Sequence, residues 1–122
     1  MIFVFGSNLA GKHGAGAAKE AHTRGFPYYL GSGYSNNCYA IPTKDCSIIT
    51  LPVYTVALYV AQFIEFAENY DAEFQVTRIG CGLAGFHDDQ IAPLFEIAPP
   101  NCYFDTKWRH FLPRGTRFWG TY

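Results

Sequence analysis

Two short glycine-rich segments could set backbone N–H groups against a phosphate. The first runs Gly6-Ser7-Asn8-Leu9-Ala10-Gly11-Lys12-His13-Gly14-Ala15-Gly16-Ala17-Ala18, and the second Gly80-Cys81-Gly82-Leu83-Ala84-Gly85-Phe86. Small residues let a ligand approach the main chain, and the amides at a helix start favour an anion. Either loop alone could be no more than a tight turn, since glycine also serves backbone conformations closed to other residues. Two such loops, each between an apolar run and a helical stretch, point to a diphosphate held from both sides.

Nearby side chains test sharper motifs. Gly6-x-x-x-x-Gly11-Lys12 matches most of a nucleoside-triphosphatase loop, but His13 stands where Ser or Thr would hold magnesium. The apolar run Phe74–Ile79 delivers Arg78 where such an enzyme needs an acid. Gly14-x-Gly16 opens like a dinucleotide fingerprint, yet Lys19 occupies the place of the third glycine. His87-Asp88-Asp89 is better suited to starting a helix, capped by Asp88 or Asp89, than to holding a metal, and no metal site is expected. Cys81 has no visible base and reads as a small loop residue, while His22 and His110 carry no pattern.

The elements that must position these loops follow from periodicity. Ile2–Phe5 is a buried strand that ends at Gly6, and helical composition begins near Ala15 and stops before Gly25-Phe26-Pro27. Cys38–Ile41 is a second strand. Val53, Val56, Ala57, Val60, Ala61, Ile64 and Ala67 mark a helix with Pro52 in its first turn and Thr50 as its cap. Phe74–Ile79 is the next strand, Ile91, Ala92, Leu94 and Phe95 belong to a short helix, and Cys102–Phe104 is a last strand. Strands alternating with helices predict an α/β sandwich whose ligand lies at the carboxyl ends of the strands.

A chain of 122 residues has room for one core, so residues 1–122 are read as a single domain. Nine Lys+Arg against ten Asp+Glu, a net charge of −1, argue against a bulk nucleic-acid binder. No apolar run approaches the roughly 20 residues of a membrane helix, and Met1 leads directly into Ile2–Gly6 without the basic start of a signal peptide. The four cysteines (Cys38, Cys46, Cys81, Cys102) show no paired or zinc spacing, which suits reduced thiols in the cytoplasm. Aromatic residues reach 18%, too many for so small a core, so some should form a binding wall or an interface. Residues 107–122 hold Lys107, Arg109, Arg114 and Arg117 interleaved with Trp108, Phe111, Phe118, Trp119 and Tyr122. Such a basic and aromatic tail can bind a nucleotide or single-stranded nucleic acid, but more often packs on its own domain or on a second copy in a homodimer.

These loops, in this order, resemble the macrodomain family of ADP-ribose-binding α/β modules. Asn8-x-x-x-x-His13-Gly14-Ala15-Gly16-Ala17-Ala18 is similar to that family's N-x-x-L-x-x-G-G-G-V-A loop, with Leu9 one place early. Tyr39-Ala40-Ile41-Pro42-Thr43-Lys44 resembles the Y-x-L-V-T-K stretch of the branch containing the terminal ADP-ribose glycohydrolases, and Arg78-Ile79-Gly80-Cys81-Gly82-Leu83 resembles its P-R-I-G-C-G-L loop. The resemblance spans roughly residues 2 to 104 and implies a three-layer sandwich around a mixed sheet, shortened at its start, that binds ADP-ribose or a related NAD-derived nucleotide without a cofactor.

On that resemblance, Gly6, Ser7, Asn8, His13, Gly14, Ala15, Gly16 and Ala17 would surround the distal ribose and diphosphate. Gly80, Cys81, Gly82, Leu83, Ala84, Gly85 and Phe86 would close from the other side, with Thr43 and Lys44 between them. Phe86 would face the ribose, or equally be a core residue. Lys44 matches the branch's nucleophile, which attacks the anomeric carbon as a Schiff-base former, or it simply contacts phosphate. Asn8 and His13 could position a hydrolytic water, or His13 could donate to a phosphate. Three departures stand out: the acidic adenine motif is missing, Ala84 replaces the branch's Asp, and the tail from Lys107 has no counterpart. An ADP-ribosyl hydrolase, a non-catalytic sensor of a free nucleotide and an interaction module using the aromatic tail all remain readings of this pattern.

Overall fold

Ile2-Phe3-Val4-Phe5 is apolar at every position, and such a strand must be covered on both faces. In the computed structural model, which describes residues 1–122, strand β1 (Ile2–Asn8) does this with the period of two that a strand imposes. Ile2 and Val4 point into one apolar cluster, Phe3 and Phe5 into another. The smaller cluster is closed by Ala18 and Ala21 of helix α1 (Gly16–Thr23) and by Phe26. The larger is closed by helix α2 (Val53–Glu68), helix α3 (Asp88–Ile91) and two 3-10 turns, Ala92–Phe95 and Thr106–Phe111.

The remaining strands are β2 (Gly33–Ser35), β3 (Cys38–Lys44), β4 (Phe74–Val76), β5 (Cys102–Asp105) and β6 (Arg117–Gly120). They form one mixed sheet in the order β2-β3-β1-β4-β5-β6. All neighbours run parallel except β2, which pairs antiparallel to β3. The parallel strands therefore end on one side. Asn8 pairs with Lys44, and Asp105 with Gly120, so the last residues of four strands share that rim.

Several sequence boundaries shift for physical reasons. β1 continues through Gly6-Ser7-Asn8, because Gly6 and Ser7 still pair with Ile41 and Pro42. β3 likewise extends to Lys44. β4 ends at Val76 and not at Ile79: the Ile79 N–H turns back to the Thr77 carbonyl at 2.8 Å, which takes the chain out of the ladder. In α2 the buried face is Val56, Val60, Phe63, Ile64 and Ala67, while Val53 and Ala61 face out. Thr50 does not cap this helix; its hydroxyl donates to the Ala84 carbonyl at 2.9 Å, tying the helix approach to the second glycine loop. Neither Asp88 nor Asp89 caps α3, whose N-cap is His87, with its N–H donating to Gln90 Oε1 at 2.8 Å.

The basic and aromatic tail packs on its own domain. Trp108 is fully buried, β6 covers the edge of β5, and Trp119 Nε1 donates to the Val76 carbonyl at 2.9 Å. An edge strand that would otherwise offer unpaired N–H and C=O groups is thereby satisfied. No helix is long and apolar enough to cross a membrane.

Candidate functional site

A cleft of about 820 Å³ opens where the parallel strands end. Its walls are the two glycine loops. Gly6, Ser7, Asn8, Gly14, Ala15, Gly16 and Ala17 line one side, Gly80, Cys81, Gly82, Leu83 and Ala84 the other, and Thr43 and Lys44 of β3 line it as well. Gly6 and Gly80 bring the two walls together at the floor: a Cβ on Gly6 would lie 3.3 Å from the Gly80 nitrogen. A side chain at Gly80, whose φ is +73°, would press on Phe86 at 3.0 Å.

Gly14 and Gly82 are different. Neither has a positive φ, and a Cβ on either would meet nothing within 4 Å. Both line the cleft. Neither the backbone nor internal packing calls for glycine at these two positions, so the space they leave is space in the cleft.

Three expected site residues lie outside the cleft lining. His13 is 2% exposed, its ring set against Phe5, Phe26 and Tyr28 at centroid distances of 5.8, 5.4 and 5.7 Å. Nε2–H donates to the Leu30 carbonyl at 2.8 Å, and Nδ1 has no partner. Burial lowers its pKa and favours the neutral ring. His13 thus anchors the first loop from behind and does not line the cleft. Phe86 is half-buried and packs against the larger core cluster behind Gly80, the core alternative. Gly85 makes the turn, with its N–H to the Gly82 carbonyl at 3.0 Å.

Asn8 lines the cleft, but its amide is engaged: Nδ2 donates to the Lys12 carbonyl at 2.8 Å, and Oδ1 accepts the Lys12 N–H at 2.9 Å. Its role in the structure is to shape the first loop. Thr43 is buried and donates to the Ser7 carbonyl at 3.2 Å, while the Ser7 hydroxyl donates to the Gly31 carbonyl. Asp45 spends its carboxylate on the N–H groups of Ser47 and Ile49 at 2.8 and 3.0 Å. Burial, with the negative Asp88 carboxylate nearby, pushes the Cys81 thiol up to about 12, which leaves it protonated and poorly nucleophilic; its hydrogen goes to the Ile79 carbonyl.

The cleft also gathers charged residues that the expected site did not include. Lys12, Arg78 and Lys107 join Lys44, and against these four cations stand Glu20 and Asp105. The chain as a whole carries −1, so the cleft is a local positive region on a nearly neutral molecule. Asp105, 1% exposed at the carboxyl end of β5, accepts the Lys107 N–H on Oδ1 at 2.9 Å. Tyr122, beyond β6, adds an aromatic ring set 5.4 Å from that of Trp119. Arg78 and Asp105 follow from a rule the sequence did support, since Asp105 ends the parallel strand β5 and Arg78 lies two residues beyond the end of β4. Tyr122 carries no local signal; only the pairing of β6 with β5 brings it here.

Arg78 is clamped. Its Nε and Nη2 donate to Asp88 Oδ1 and Oδ2 at 2.9 and 2.7 Å, and Trp108 Nε1 donates to Asp88 Oδ1 at 2.8 Å. The Arg78 guanidinium, helped by the Trp108 indole, pulls the Asp88 carboxyl down to about 2. Asp88 is therefore spent on Arg78 and not on a metal. No family model, curated protein or solved structure matches this chain.

Proposed function

We propose that the cleft binds ADP-ribose or a related NAD-derived nucleotide, with the diphosphate between the two glycine loops. Gly14 and Gly82 carry the reading: both are glycine without a conformational or packing reason, and both open onto the same cleft. The positive surroundings favour an anion, and the open backbone lets N–H groups do the holding. At the β5–β6 end, Tyr122 offers a face for the base, and Asp105 supplies the buried acid that the loop motifs lack. The mixed sheet with helices on both faces is compatible with the macrodomain-like sandwich that the loop sequences resemble.

Binding without turnover is the favoured form of this reading. Asn8 is occupied by Lys12, His13 lies behind the loop, and Ala84 stands where the resembled branch has its Asp. Sequestering or sensing a free nucleotide requires none of those groups. The enzymatic form would rest on Lys44 alone, attacking the anomeric carbon of the distal ribose. Calorimetric titration with ADP-ribose, its cyclic isomers and its conjugates tests binding, and the absence of heat with all of them would sink it. Incubation of ADP-ribosylated protein with wild type and Lys44→Ala tests turnover; product from wild type that disappears in the variant would replace the binder with a hydrolase.

A further inference from the structure

β4 lies between β1 and β5, so Arg78, two residues beyond it, stands near the middle of the cleft floor. A guanidinium has five N–H donors in a rigid plane. Asp88 takes two of them, and the other three have no partner in the protein. The side chain is 32% exposed and lines the cleft. Asp88 is held in turn by the indole of Trp108, which is itself fully buried between α3 and β5 in the larger core cluster. The plane of the guanidinium is thus set by groups outside the cleft, while its free donors belong to a side chain inside it.

We propose that Arg78 is a phosphate-binding residue of the cleft, presented in a fixed orientation by Asp88, with Trp108 as the positioning residue behind that carboxylate. The assignment rests on the nucleotide-binding reading above and names the group that recognises the diphosphate. Asp88 offsets the charge of Arg78, so what remains to the ligand is a directed fork of donors; Lys12, Lys44 and Lys107 supply the net positive field. A strut between the β4 loop and α3 would need only the two N–H groups that Asp88 takes. The arrangement also gives the C-terminal segment a part in binding, because Trp108 belongs to it.

The test follows the Arg78 Nε–H resonance of the wild-type protein while inorganic pyrophosphate, and separately ADP-ribose, is added. That proton is shielded by Asp88, and it should shift saturably with both. In parallel, Arg78→Lys keeps the charge but loses the fork, and should weaken ADP-ribose by about tenfold or more; its thermal midpoint, measured alongside, separates the loss of the Asp88 pair from the loss of binding. If ADP-ribose binds the wild type but leaves the Arg78 resonance still and Arg78→Lys binds equally well, the assignment is overturned and the nucleotide reading stands. If pyrophosphate moves Arg78 but ADP-ribose gives no heat, the anion site stands and the nucleotide reading falls. Should Arg78→Lys fail to fold, the wild-type resonance still decides.

Discussion

The two walls of the cleft are built by opposite means. The first loop is held by side chains: Asn8 brackets the Lys12 backbone, Ser7 reaches Gly31, and His13 reaches Leu30 from an aromatic nest. The second is held mainly by its own main chain, through Cys81 N–H to Arg78, Gly85 N–H to Gly82 and Phe86 N–H to Gly80. Its crest, with Leu83 71% exposed, touches little. Changes in the first wall should therefore disturb folding together with binding, and changes at the crest of the second should disturb binding alone.

The sharpest way to break that contrast is Gly82→Glu. It should reduce ADP-ribose affinity by about a hundredfold or more through blockage and charge, yet move stability by no more than about 0.5 kcal/mol, since the position is open and its φ is ordinary. A large drop in thermal midpoint would show that the second wall is structural after all. His13→Ala should do the reverse, costing about 3 kcal/mol in urea unfolding by emptying a buried ring site. Its titration adds a signature. The folded pKa of His13 is lowered from 6.5, so the neutral ring's contribution is present above 6.5 and is lost as pH falls through the folded value. A wild type whose stability declines on acidification below 6.5, against a flatter His13→Phe, would fit.

Asp88 provides a smaller effect on the second side. Its pKa falls from 3.8 to about 2, so its stabilisation is complete above 3.8 and disappears as pH drops through about 2. Partial exposure limits this to at most about 2 kcal/mol. The gap in urea midpoint between wild type and Asp88→Asn should close over that window. Least of all, Asn8→Ala should cost about 1 kcal/mol or slightly more for the Lys12 bracket, with a matching loss of affinity as the first loop loosens. Unchanged stability with lost binding would instead make Asn8 a direct ligand contact.

The sequence made the central strands and α2 legible because their burial has a simple period: Ile2–Phe5 is apolar on both faces, and α2 buries Val56, Val60, Phe63, Ile64 and Ala67. Both loops were legible through their place after apolar runs, and Lys44 only through the resemblance of Tyr39–Lys44 to a family motif. β2 and β6 were not. The first is a three-residue edge strand, and the second has a mixed, half-exposed pattern that only pairing with β5 makes a strand. His13 was misplaced because a loop position says nothing about which way a side chain turns; Phe5, Phe26 and Tyr28 decide that from distant parts of the chain. Tyr122 has no local signal, because only the pairing of β6 with β5 carries it to the cleft, whereas Asp105 ends β5 and lay within reach of the strand-end rule.

The central claim is that one diphosphate sits between the two walls, and a crystal structure with bound ADP-ribose tests it most directly. The account predicts phosphate oxygens within hydrogen-bonding distance of main-chain N–H groups from both the Gly14–Ala17 and the Gly80–Ala84 segments. A nucleotide contacting one loop only, or seated outside the cleft, would contradict it.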